Sequence, residues 1–244
     1  MSRKGKRLRS DYDRIDRTHR YLPQEAFELL KATHNASFDE TVEVHFKLGL
    51  NVRHAEEQLR GTLALPHGLG KDVSVVVFAD GDAARAAEAA GADYVGTADL
   101  SERITSGWSD FDVVIATPAL MPQVGKLGRV LGPQGKMPNP KVGTVTDDVG
   151  KAVTESKSGR VEYRTDRQGL VHMTLGKKSF ETRKLLENYS AVVEEIVKAK
   201  PAGAKGRYLV SITISSTMGP GIPLDTSKAS ERDILVESAA ADAA

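Results

Sequence analysis

Cysteine is absent from the chain. That single absence excludes a disulfide framework, a thiolate zinc site, an iron–sulfur cluster and a cysteine nucleophile. Aromatic residues are scarce, at 5% with one tryptophan, so a platform stacking several bases on rings is not expected. No apolar run approaches the roughly 18 residues needed to span a bilayer. The best, VSVVVFA at 73–79, has the length of a strand. The basic start, MSRKGKRLRS, is not followed by an apolar stretch as a secretory signal would be, and Asp11, Asp13 and Asp16 argue against an acid-poor transit peptide. The expectation is a cytoplasmic protein with no membrane partner.

What is present is ordinary in bulk: 244 residues, 40% hydrophobic and 27% charged, enough to bury a core. The formal net charge of +1 conceals a division. Segments 1–67 and 158–224 together hold 23 Lys and Arg against 16 Asp and Glu, whereas 68–157 holds 9 against 12 and 225–244 holds 2 against 5. A basic outer portion suits a polyanion, because Lys and Arg displace counterions from phosphates. The plain alternative is a solvated basic face without a partner.

The patterning follows the same division. Arg3, Lys4, Lys6, Arg7 and Arg9, with no acid among them, read as a flexible arm able to lie along phosphates. Pro23 opens a helical pattern. Phe38, Val42, Val44, Phe46, Leu48 and Leu50 then point one way, with Thr41, Glu43, His45 and Lys47 the other, a strand of period 2. A second strand fits 58–65. After PHGLGK at 66–71 the pattern changes to buried strands at 73–79 and 111–118, a short strand ADYVG, and intervening helices. Such alternation indicates a parallel-sheet unit of about ninety residues. From 158 the two-faced style returns. RVEYRT and GLVHMTL flank a turn at 166–169 and read as a hairpin. Residues 180–199 read as an amphipathic helix with Leu185, Leu186, Val192, Val193, Ile196 and Val197 on its apolar stripe. A last strand would place Tyr208, Val210, Ile212 and Ile214 inward. The fold class predicted is α/β with two domains: an α+β outer domain (1–67 and 158–224) with an antiparallel sheet, interrupted by an inserted Rossmann-like α/β domain (68–157). The short Gly-rich joints predict hinge motion, and 225–244 reads as a disordered acidic tail.

Tests for catalysis fail one after another. At GPQGKM the glycine-rich segment 125–143 lacks the Ser/Thr and the spacing of a Walker A loop. The first strand–helix turn of the inserted portion carries Asp80 and Asp82 where a pyrophosphate would lie, so the dinucleotide fingerprint is missing too. His19, His34, His45, His54, His67 and His172 show no metal-ligand spacing. Asp147 and Asp148 fit a helix cap better than a magnesium site. No G-x-S-x-G elbow is present. No catalytic residue, metal site or cofactor is therefore expected, and a nucleotide-using enzyme is the weaker alternative.

The polar strand faces suggest recognition instead. Thr41, Glu43 and His45 on one strand, and Ser211, Thr213, Ser215 and Thr217 on another, would form a row of small donors and acceptors if the strands adjoin. Folded RNA is recognised largely by shape and by 2′-OH and phosphate contacts. Met218-Gly219-Pro220 would bring backbone close to such a partner, since glycine has no side chain in the way. Ser and Thr that merely solvate an exposed strand are the competing reading, and a generic RNA chaperone is a third.

Several segments, in order, carry a resemblance: SFDETVEVHFKLGLNVR (37–53), RGTLALPHGLGK (60–71), GADYVG (91–96), LGRVLGPQGKMPNPKVGTVT (127–146), SGRVEYRTDRQGLVH (158–172) and STMGPG (216–221). Over about residues 1–224 the chain resembles the bacterial ribosomal protein L-one family, proteins of the large-subunit stalk beside the tRNA exit site. The resemblance implies a two-domain fold and a non-enzymatic structural role, with the stalk region of large-subunit rRNA as partner. Its other implied partners are exit-site tRNA, whose deacylated form it helps release, the remaining components of the large subunit, and its own mRNA, which it represses. It also implies RNA contacts at Phe38, Thr41, Glu43, Asp166, Gly169, His172, Thr217, Met218 and Gly219. Three positions depart from the family pattern. Ser37 stands where some relatives carry lysine, and Gln134 and Lys136 stand where arginine and an apolar residue are usual, which moves the loop's charge by two residues.

Overall fold

The computed structural model describes residues 5–34 and 36–228. In chain order they form α1 (Lys6–Asp13), α2 (Pro23–Ala32), β1 (Thr41–Leu48), β2 (Arg60–Ala64), β3 (Val75–Phe78), α3 (Gly81–Ala89), β4 (Tyr94–Gly96), α4 (Ala98–Thr105), β5 (Val113–Ala116), α5 (Met121–Lys126), α6 (Gly128–Leu131), α7 (Val149–Lys157), β6 (Arg160–Arg164), β7 (Leu170–Lys177), α8 (Thr182–Lys198), β8 (Leu209–Ser216) and β9 (Ile222–Leu224). The architecture is mixed α/β, with an antiparallel sheet and a separate parallel sheet. The chain divides into two compact units, one made by the portions ending at Gly70 and resuming at Val161, the other by Lys71–Arg160.

In the first unit the antiparallel sheet runs in the order β7-β1-β8-β9. The period-2 pattern of β1 explains its place: Val42, Val44, Phe46 and Leu48 are buried, and the residues between them are not. Their face is covered by Phe27 and Leu30 of α2 and by Leu185, Tyr189, Val192, Val193 and Ile196 of α8. A one-residue slip of β1 would turn that whole apolar set to water, so its register is strongly held.

In the second unit β4-β3-β5 form a parallel sheet. The run Val75–Phe78 is buried throughout because helices cover both of its faces. Val75 and Val77 pack with Ala87 of α3 and Val153 of α7, while Val76 and Phe78 pack with Ile104 of α4 and Val124 of α5. The chain leaving the glycine-rich segment completes this unit. Val145 bridges Ala116 in parallel, with Thr146 N–H donating to Ala116 O at 3.2 Å. Asp148 caps α7 by accepting from Lys151 N–H at 3.2 Å.

Several local expectations are corrected. The 166–169 turn forms, but β6 pairs with β2 while β7 pairs with β1, so the two strands are not a regular hairpin beyond one bridge, Thr165↔Val171. Val210 is exposed, because a register shift between Lys47 and Leu48 places it out of phase with Ile212. Val197 is exposed as well, and the buried face of α8 instead includes Asn188, Tyr189 and Ser190. Phe38 precedes β1 and is exposed rather than inward. Lys6, Arg7 and Arg9 lie on α1, not on a flexible arm; Arg3 and Lys4 lie outside the described residues. Of the acidic tail, Asp225 N–H donates to Tyr21 O at 3.0 Å, while 229–244 lie outside the described residues.

Candidate nucleic-acid interface

The face of the antiparallel sheet turned away from α2 and α8 is built in rungs. The registers place Thr174, Glu43 and Ser215 side by side across β7, β1 and β8. The next rung is His172, His45 and Thr213, and the one after it Leu170, Lys47 and Ser211. At about 3.3 Å per residue β1 carries this face for roughly 25 Å. The two polar-faced strands do adjoin, with short hydroxyl side chains at Ser211, Thr213 and Ser215 of β8 beside the longer Lys47, His45 and Glu43 of β1.

The middle rung is the most connected. His45 Nδ1 faces His172 Nδ1 at 2.9 Å, and His45 Nε2 lies 3.0 Å from Ser215 Oγ. A contact between two Nδ1 atoms needs one proton, so one ring donates and the other accepts. Burial and the neighbouring His172 hold His45 below its ordinary value of 6.5, against the opposing pull of Glu43.

At one end of the face the chain turns sharply. Asp166 Oδ1 accepts from Gln168 N–H at 2.8 Å and from Leu170 N–H at 2.7 Å. Burial opposes ionisation of Asp166, but these backbone bonds outweigh it and hold the carboxyl below its usual range. Gly169 takes φ +73, and a Cβ there would sit 3.2 Å from Leu48 O. Its carbonyl accepts from Leu48 N–H at 2.9 Å, and Lys47 Nζ donates to Gln168 O. Asp166 and Gly169 therefore build the turn that fixes this end of β1. Arg53, Arg164 and Arg167 line a shallow depression around it, a concentration of cationic charge suited to phosphate.

At the other end, Thr217 closes the pairing of β1 and β8. Its hydroxyl accepts from Thr41 N–H at 3.0 Å and donates to Thr41 O at 3.3 Å, and its N–H donates to the same carbonyl at 3.1 Å. Lys177 Nζ donates to Thr41 Oγ1 at 3.0 Å. Beyond Thr217 the chain folds back with Gly219 N–H donating to Ser216 O at 3.1 Å. A Cβ on Gly219 would meet the Ser216 hydroxyl, so a side chain there would have to turn that hydroxyl aside. Phe38 (53% exposed) and Met218 (64% exposed) project at this end, apolar groups left open to solvent.

The nine residues singled out from the sequence thus lie along one sheet face and its two ends. Phe38, Thr41, Thr217, Met218 and Gly219 share one end, Glu43 and His172 lie on the rungs, and Asp166 and Gly169 form the other end. Sequence reasoning missed Glu40, Lys177 and Lys178. Charged residues beside a strand read as solvated, and nothing local signals that Glu40 and Lys178 are buried. Of the departures from the family pattern, Ser37 and Gln134 are exposed. Lys136 turns inward, its ammonium donating to Ser109 O at 3.0 Å and lying 4.8 Å from the centre of the Phe111 ring. Its charge fastens the glycine-rich segment to the second unit instead of being offered outward.

Comparison with known families matches residues 30–220 to the model of the Ribosomal protein L1p/L10e family. The matched span includes β1, the glycine-rich segment, the 166–169 turn and the end of β8 with Met218 and Gly219. The chain therefore belongs to the ribosomal protein L1 family, structural ribosomal proteins that bind rRNA.

Proposed function

We propose that this protein is a structural constituent of the large ribosomal subunit whose outer sheet face grips the folded stalk region of large-subunit rRNA near the tRNA exit site. In the same reading it assists release of deacylated tRNA and represses translation of its own mRNA by binding a similar RNA structure. The discontinuous unit, 1–67 with 158–224, is the RNA-binding domain, and 68–157 is the inserted domain. The observation that carries the reading is the face itself. Its rungs offer hydroxyl, imidazole and carboxylate groups on a backbone held in register by a buried opposite side. Small groups on such a rigid surface can approach sugar edges with little entropy left to lose. Glu43 adds acceptors for 2′-OH or base amino donors, and the arginines at the Asp166 end suit phosphate.

Chemical footprinting of a large-subunit rRNA stalk fragment with the full chain tests the binding claim. Protection confined to one folded element, and resistant to competition by bulk tRNA, is expected. Uniform weak protection would refute it. The regulatory claim is tested by competition with the leader of the protein's own messenger, and the release claim by the rate at which deacylated tRNA leaves ribosomes lacking the protein.

A further inference from the structure

Glu40 is only 1% exposed, and its carboxylate reaches two separate segments. One oxygen accepts from Ala36 N–H at 2.9 Å and the other from Met218 N–H at 3.0 Å. Lys178, 8% exposed, lies 4.0 Å from it. The Lys178 ammonium in turn donates to Thr33 Oγ1 at 2.9 Å, Thr33 O at 3.1 Å and His34 O at 3.3 Å, and the Lys178 backbone N–H donates to Glu40 O at 2.8 Å. His34 is held from the other side by buried Asp11, whose Oδ1 accepts from His34 N–H at 3.2 Å and lies 2.7 Å from His34 Nδ1.

Stability alone is a poor reason for this arrangement. Removing two charges from water costs about as much as their attraction returns, and an apolar pair of similar volume often serves as well or better. What an apolar pair cannot do is accept the Ala36 and Met218 amides, whose bonds to Glu40 are partly buried. Those amides flank the two exposed apolar groups of the interface. Ala36 comes two residues before Phe38, and Met218 carries its own side chain into solvent.

We infer that Glu40, braced by Lys178, is a positioning residue that holds the Phe38 and Met218 segments together as one preformed apolar tip for the RNA. The inference rests on the RNA-binding reading and deepens it, since Glu40 touches no RNA and acts through backbone amides. Preformation removes the ordering cost that two independent segments would bear on binding.

The test uses the full chain with Glu40→Gln, which keeps one acceptor and loses the charge and the second acceptor. Affinity for the rRNA stalk fragment should fall by roughly ten- to hundredfold, and amide exchange at Ala36 and Met218 should accelerate. Glu40→Asp keeps the charge opposite Lys178 but is one methylene short, so it provides a folded variant with the same expected loss. A double-mutant cycle separates positioning from general support. In a Met218→Ala background, Glu40→Asp should cost much less than in the wild type. Full additivity in that cycle would overturn the inference, as would wild-type affinity in a folded Glu40 variant. If the wild-type chain itself ignores the fragment, the RNA-binding reading falls first, and the inference with it.

Discussion

Thr217→Val is the sharpest perturbation of the proposed interface, because it removes a hydroxyl and keeps the shape. A threonine hydroxyl has one proton to give and two lone pairs to accept with. In this protein the proton points to Thr41 O at 3.3 Å and one lone pair takes Thr41 N–H at 3.0 Å. One lone pair is left, so Thr217 meets the RNA as an acceptor, and the natural donor on a sugar edge is a 2′-OH. In the free protein both bonds to Thr41 are near solvent, and their loss should cost about 0.5–1.5 kcal/mol of stability at most. In the desolvated complex a 2′-OH left without its acceptor should cost about 1–3 kcal/mol, roughly 5- to 150-fold in Kd. The assay is a gel-shift titration at fixed salt, with an all-ribose stalk fragment and with one carrying deoxyribose at the protected nucleotides. The valine variant should lose affinity for the ribose form and little for the deoxyribose form. Equal loss on both, or none on either, would refute the acceptor assignment.

Other expectations follow from the same geometry. Gly169→Ala forces a side chain into φ +73 and against Leu48 O, so it should destabilise the chain by about 1–2 kcal/mol, read as a lower urea midpoint with unchanged slope. His172→Ala removes one of the causes depressing His45, so the His45 midpoint should rise toward 6.5 in an NMR titration. In the wild type the unfolded chain binds that proton more readily. The His45 contribution to stability is therefore intact above about pH 6.5 and declines as pH falls through the window below it, and the decline should be smaller in the variant. A chain in which 68–157 is replaced by a short linker should keep most of its affinity for the stalk fragment, as measured by filter binding.

Much of this site could be read from the sequence, for identifiable reasons. The alternation in β1 is a local signal, and burial of one face follows from it directly; the same holds for Ile212 and Ile214 in β8. The failures at the sheet are non-local. The 166–169 turn has the chemistry of a hairpin, and Asp166 and Gly169 do build a tight turn. Which strands it joins is decided instead by β2, about one hundred residues earlier in the chain. Val210 continues the alternation on paper, but the shifted register at Lys47 and Leu48 breaks the phase. Lys178 and Glu40 lie far apart in sequence, and only the assembled unit shows that each is the other's buried counter-charge. The glycine-rich segment is the most distinctive string in the chain. Its structural work is nevertheless to seat Lys136 on Phe111 and lead into Val145, which extends the parallel sheet, so distinctiveness in sequence did not mark the proposed interface.

The same distribution accounts for how a chain so poor in aromatics can engage RNA. Base stacking on rings is one route to affinity, and it needs several exposed rings. Among the described residues, Phe38 is the only large aromatic left strongly exposed. Affinity must then come from fixed placement of many small groups, and that demands stiffness. Each device at the periphery supplies it: the Asp166 turn with Gly169 at one end, the Thr41–Thr217 closure at the other, and the buried Glu40 behind the apolar tip. Loosening the Glu40 brace, for one, leaves every contacting side chain present, yet returns to binding the entropy that folding had already removed. A variant series through these devices should for that reason raise dissociation rates while leaving association, which long-range charge governs, nearly unchanged.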